Sequence, residues 1–271
     1  MPRLFIEGRG PVVLLIHGGP GLGSETVRPI STLLRKRHTV VRYERECAEM
    51  GSSVIEVEMA RRRLGVRRLS IIAHSWGAGI ASLYAATHPS RVHSLVLAHP
   101  LEISSEFCAY AERKLEIRRI LTGYPRPRRD IEACSLELRL ATAQWASGRN
   151  FPAPSVGDCN PRAAQAAWAS LEKLCPGQNG SGYDLSTAVQ KIRCRPLILS
   201  GDHDVIDSRS DADFARLTGG RLIHFRKSGH WSFLEEPSKF QSVVLAAVAE
   251  RFQKQAIAVG AKSDQAIGVG A

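Results

Sequence analysis

The sequence predicts an α/β fold: a mostly parallel central sheet flanked by helices, with a helical cap inserted between its strands. Three observations predict it. Short apolar runs such as Val12–Ile16, Leu69–Ile72, Leu95–Leu97 and Pro196–Ser200 read as strands buried on both faces. Helical segments alternate with them until about His99, and the alternation resumes near Cys194. Between Pro100 and about Ser186 the periodicity is helical, with no strand-like run. The expected division is a core of residues 1–99 and 187–254, a cap of residues 100–186, and a flexible tail of residues 255–271.

The first buried run, Val12–Ile16, ends in His17-Gly18-Gly19-Pro20-Gly21. A Gly-rich loop after a central strand can present backbone N–H groups to an anion. An ordinary strand-to-loop turn reads the same way when taken alone. What raises the loop above that reading is Ala73-His74-Ser75-Trp76-Gly77, set between the run Leu69–Ile72 and the small residues Ala78–Ser82. A strand turning sharply into a helix has this pattern, with a nucleophilic Ser75 at the tip and room only for small side chains two residues to either side. The amides of Gly19 and Trp76 are the candidate oxyanion donors, and Gly18 is counted with the substrate-binding residues.

A later apolar strand leads into Gly201-Asp202-His203-Asp204. Asp202, Asp204 and Asp207 compete as the acid. Asp204 fits a G-x-x-D spacing best, while Asp202 reads as a turn residue bonding its own backbone. The final strand, Arg221–Phe225, leads to Ser228-Gly229-His230-Trp231, and Glu235-Glu236-Pro237 opens the C-terminal helix. Among nine histidines, His230 stands out by position. His17 and His74 read as loop braces, and His88 before Pro89 as a helix-end residue. Ser75, Asp204 and His230 run in the order Ser–Asp–His, each just past a predicted strand.

These motifs resemble the α/β-hydrolases. His17-Gly18-Gly19-Pro20-Gly21 with His74-Ser75-Trp76-Gly77 is more narrowly similar to the proline iminopeptidases, while His88-Pro89-Ser90-Arg91-Val92 leading into Leu95–Leu97, and Gly229-His230 with Glu235 and Pro237, match broader family features. The resemblance covers about residues 4–100 and 185–252. It implies a serine hydrolase acting on a small ester or amide, such as a short peptide with N-terminal proline, by a Ser75–His230–Asp204 triad without metal or cofactor. Three departures accompany it. Glu44–Gly51 lacks the family's D-Q-R-G-x-G-x-S loop, and the helix after it, near Val54–Leu64, is short. Ala146 stands beside Trp145 where the family carries a carboxylate for the substrate amine. A single strand, Leu4–Glu7, precedes Val12. These departures keep two rivals in view: an esterase, lactonase or amidase for a small acyl compound, and a non-catalytic binding module.

Within the cap, helices are predicted near Ser104–Leu121, Asp130–Ser147 and Pro161–Leu174. Trp145 and Trp168, with Tyr110 and Phe107, either line an apolar substrate pocket or pack cap against core. The cap glutamates, from Glu102 to Glu172, sit among Arg and Lys at helical spacing, which predicts surface pairing. The net charge of +11 draws attention to Arg61–Arg63, Arg67–Arg68 and Arg126–Arg129, but no nucleic-acid-binding motif accompanies them, and Arg61–Arg63 reads as a solvated helix face. No run approaches the ~20 apolar residues of a membrane span. With no signal-like start, the expectation is a cytoplasmic protein whose partner is a small molecule or short peptide. The six cysteines show no C-x-x-C pair and are expected as thiols. The repeat of Gln255–Ala261 in Gln265–Ala271 is assigned no function, and no oligomeric state is assigned.

Overall fold

The computed structural model describes residues 2–19, 22–46, 49–122 and 182–249. Among these, seven strands form one sheet in the order β1-β3-β2-β4-β5-β6-β7. They are β1 (Arg3–Glu7), β2 (Val12–Ile16), β3 (Thr39–Glu44), β4 (Leu69–His74), β5 (Val92–Ala98), β6 (Leu197–Gly201) and β7 (Arg221–Phe225). Only β1 runs antiparallel to its neighbour, β3. The remaining pairings are parallel, as expected of strands buried on both faces.

Alternate side chains of each strand feed two separate cores. Leu14 and Ile16 of β2 pack with Val41, Tyr43 and Ile71 beneath α2 (Met50–Arg63) and α3 (Trp76–Thr87). Val13 and Leu15 face the other way, toward α1 (Arg28–Leu34) and the last described helix, 237–249. Small residues let α3 lie close on the sheet, so that nearly all of it is buried. From β2 the chain crosses to β3 on one side; from β4 it continues to β5 on the other. The crevice outside the C-terminal ends of β2 and β4 is therefore the topological switch point, where open α/β sheets bind ligands.

The two described ends of the segment between β5 and β6 meet. Ser105 N–H donates to Tyr183 O, and Leu185 N–H donates to Ile103 O, each at 2.9 Å. Its first helix, α4, spans Cys108–Thr122. Beyond the return lie α5 (Ser186–Val189), α6 (Ser208–Thr218) and α7 (Ser232–Glu235). The helices predicted at Asp130–Ser147 and Pro161–Leu174, with Trp145, Trp168 and the tail, lie outside the described residues.

Several expectations are corrected. α2 begins at Met50 rather than near Val54. Met50 packs on the core against Gly79 of α3, and that packing overrides the weak helix propensity of Gly51-Ser52-Ser53. Arg61 is not simply solvated: with Arg62 and Arg91 it pairs with the Glu58 carboxylate, which also accepts from Tyr84 Oη. Glu102 is buried rather than surface-paired, whereas Glu116 pairs with Arg119 as expected. Cys108 is disulfide-bonded, not a thiol, because spacing along the chain does not report which sulfurs meet in space. Phe107 packs against the core. Among the described residues no helix is long and apolar enough to cross a membrane.

Candidate active site

β4 hands directly to α3 at Ser75, whose backbone lies at φ 54°, ψ −125°. A non-glycine residue there stores strain of roughly 1–3 kcal/mol, so the surroundings must hold it. Ser75 N–H donates to Ala98 O at 3.1 Å, and Ser75 O accepts from Leu101 N–H at 3.1 Å and Ala78 N–H at 2.8 Å. The neighbouring glycines are there by steric necessity. A Cβ on Gly77 would stand 2.5 Å from His17 O and 2.6 Å from Ile16 O. One on Gly18 would stand 3.0 Å from Ser75 Cβ, so the loop after β2 lies directly against the serine. Ala73, two residues before Ser75, is fully buried in β4. Gly19 adopts φ +90°, a conformation suited to glycine. Trp76 is the first residue of α3, so its amide lacks a partner within the helix.

Asp204 and His230 meet on the other side of the crevice. His230 Nδ1 lies 3.0 Å from each Asp204 carboxylate oxygen, and both residues are buried. Gly201 permits the approach: a Cβ there would stand 2.4 Å from Gly229 O. Two carboxylates shape the His230 loop. Glu235 accepts from Gly229 N–H and Trp231 N–H, and Glu236 accepts from Ser228 Oγ and Lys227 N–H. The competing acids are otherwise engaged, since Asp207 caps α6 and pairs with Arg209, and Asp202 is exposed beside His224. The two sides join through His74, whose Nε2 donates to His230 O at 2.9 Å.

The model of the alpha/beta hydrolase family matches residues 13–241. The chain belongs to the alpha/beta hydrolase family. A proline iminopeptidase from Heyndrickxia coagulans is 23% identical over 261 residues, covering 88% of this chain and 90% of its own. Among solved structures, a proline iminopeptidase from Mycobacterium smegmatis superposes with a TM-score of 0.65 at 18% identity, covering 92% of this chain and 94% of that one. The 2-hydroxy-6-oxo-6-phenylhexa-2,4-dienoate hydrolase of Rhodococcus sp. strain RHA1 gives 0.68 at 18% identity, covering 93% and 94%. Two hydrolases named for such different substrates match alike, so this likeness carries the fold and not the substrate.

The sequence reading missed one residue of this hydrolase's crevice. His99, the first residue after β5, is fully buried at φ 48°. Its Nδ1 lies 2.8 Å from Asp204 Oδ2 and its Nε2 2.7 Å from Ser232 Oγ. The available signal was its position at the C-terminal end of a central strand. The potential ligand atoms of His99, Asp204 and His230 lie within 4.8 Å of one another, and hydrogen bonds account for that closeness.

Burial works to raise the Asp204 carboxyl, but the charges and hydrogen bonds of His230 and His99 outweigh it and hold the carboxyl well below the usual range. An ionised carboxylate only accepts, so both imidazoles turn an Nδ1–H toward it, leaving Nε2 of His230 as the basic nitrogen. Burial and nearby positive charge keep His17 and His74 neutral, with pKa values well below the ordinary imidazole value. Their side chains bond Gly18 O and His230 O, as braces would. From α4, Lys114 Nζ donates to Asp204 O at 2.7 Å and Arg118 donates to His203 O, so α4 is tied to the loop after β6. Burial, together with the Asp204 and Asp207 charges, pushes the Glu102 carboxyl up to about 7.

Proposed function

We propose that this hydrolase is a serine hydrolase using Ser75, His230 and Asp204. Ser75 Oγ attacks a carbonyl carbon while His230 Nε2 takes its proton. Asp204 orients the ring and stabilises the imidazolium. The amides of Gly19 and Trp76 hold the oxyanion, His230 returns the proton to the leaving group, and water then clears the acyl-enzyme. What supports this reading is the buried Asp204–His230 pair together with a serine held at φ 54°, whose neighbour His74 bonds His230 O. Small esters and amides are the proposed substrates, with release of N-terminal proline from short peptides as the specific case that the relatives suggest. No nucleic acid, membrane or cofactor enters the mechanism.

A second reading, an esterase, lactonase or amidase for an uncharged acyl compound, is favoured by Ala146 beside Trp145. An α-ammonium group in a desolvated pocket needs a facing carboxylate or several carbonyls. The test compares kcat/KM for Pro-4-nitroanilide, its N-acetylated form and p-nitrophenyl acetate, with Ser75→Ala as the control. Strong preference for the free amine supports the iminopeptidase reading, and preference for the uncharged compounds supports the second. Equal turnover by wild type and Ser75→Ala would refute both.

A further inference from the structure

We propose that His99 is a positioning residue, which holds the Asp204 carboxylate so that it presents one fixed charge to His230. The proposal rests on the assignment of Ser75, His230 and Asp204 above. Asp204 accepts from three directions: His99 Nδ1–H on Oδ2, Ile206 N–H on Oδ1 at 3.1 Å, and His230 Nδ1–H across both oxygens. His99 is itself fixed at three points. Its backbone N–H donates to Leu199 O at 2.8 Å on β6, its Nδ1 meets Asp204, and its Nε2 lies 2.7 Å from Ser232 Oγ, two residues beyond His230. One imidazole thus ties the end of β5 to both the acid loop and the base loop. Its backbone angle of 48° lies in the left-handed region, where histidine and asparagine are over-represented among non-glycine residues.

The chemical consequence follows from sharing. A carboxylate that accepts from His99 has less pull on the proton of His230. Without His99, Asp204 turns more freely and stabilises the His230 imidazolium more strongly, so His230 holds its proton to higher pH. The titratable groups facing His99 are Asp204, His74 at the end of β4, and His230, with ring centroids 6.3 Å and 5.7 Å away for the two histidines.

The experiment measures the second-order rate of fluorophosphonate labelling of the full chain against pH. His99→Phe keeps a ring but removes the donor; His99→Asn places a carboxamide N–H near the Nδ1 position. His99→Phe is expected to slow labelling roughly 10- to 100-fold and to move the acid limb upward by about 0.5 pH unit or more. His99→Asn is expected to recover most of the rate with the wild-type limb. Equal slowing by both variants with an unmoved limb would mean that His99 only packs, and would overturn the proposal, as would wild-type rates in both. If His99→Phe does not fold, His99→Asn is compared with His99→Gln, whose amide reaches toward Ser232 instead. Asn faster than Gln supports the proposal; Gln equal or faster overturns it. A wild-type chain that does not label at Ser75 fails the underlying assignment, whereas normal labelling that His99 variants leave unchanged fails this inference alone.

Discussion

The two sides of the crevice are held by different forces. On the Ser75 side the constraint is steric: Gly77 lies where any Cβ would meet the backbone of Ile16 and His17, and Gly18 lies against Ser75. On the Asp204–His230 side the constraint is polar: Glu235, Glu236, His99 and Ser232 supply hydrogen bonds that fix two loops. Steric fixing tolerates no substitution but is indifferent to pH. Polar fixing tolerates shape but depends on which groups carry protons.

The largest expected effects separate chemistry from scaffold. Ser75→Ala should lower kcat on the order of 10⁶-fold with circular dichroism unchanged, and retention of a tenth of the activity would remove the serine from the mechanism. Asp204→Asn should cost about 10⁴-fold in kcat by favouring the wrong imidazole tautomer. Asp202→Asn, at an exposed position, and Asp207→Asn, at a helix cap, should leave kcat within about 10-fold, because neither carboxylate meets His230. If Asp202→Asn proves the more damaging change, the acid has been misassigned.

The steric side is tested by Gly77→Ala. Its Cβ would stand 2.5 Å from a backbone oxygen, so α3 must shift from the sheet. A loss of about 1–3 kcal/mol in urea unfolding is expected, together with lost labelling at every pH. Unchanged stability would show that the elbow is less tightly packed than these distances imply.

The smallest expected effect concerns a buried acid near the polar side. Glu102 has its carboxyl raised to about 7 by burial and by the charges of Asp204 and Asp207. A raised carboxyl binds its proton better in the fold than in the unfolded chain, so its contribution is most favourable below its ordinary pKa of 4.5. That contribution declines as pH rises through the window to about 7 and is constant above it. Glu102→Gln should therefore stabilise the protein at pH 8 relative to pH 5, by at most about 3 kcal/mol. A gain independent of pH would mean that Glu102 is not buried as a charge.

This contrast also explains what the sequence revealed. Steric demands leave glycines and small residues at fixed spacing, so the Gly18–Gly19 loop, the Ser75 elbow and the parallel strands were legible. The G-x-x-D spacing singled out Asp204, and of the three aspartates it is the one that meets His230. His99 was not legible: its contact with Asp204 spans 105 positions, and histidine carries no local pattern of its own. Glu102 was misread for the same reason, since helical spacing among basic residues describes a surface and not what folds over it. The start of α2 was missed because Met50 is held by packing against α3 and not by local propensity.

The most direct test of the central claim is peptide mapping by mass spectrometry after fluorophosphonate treatment. The account predicts a single stoichiometric adduct on Ser75 in the wild-type chain, absent in Ser75→Ala and formed far more slowly in Asp204→Asn. An adduct on another residue, or labelling of Ser75 at the same rate with and without the Asp204 carboxylate, would contradict it.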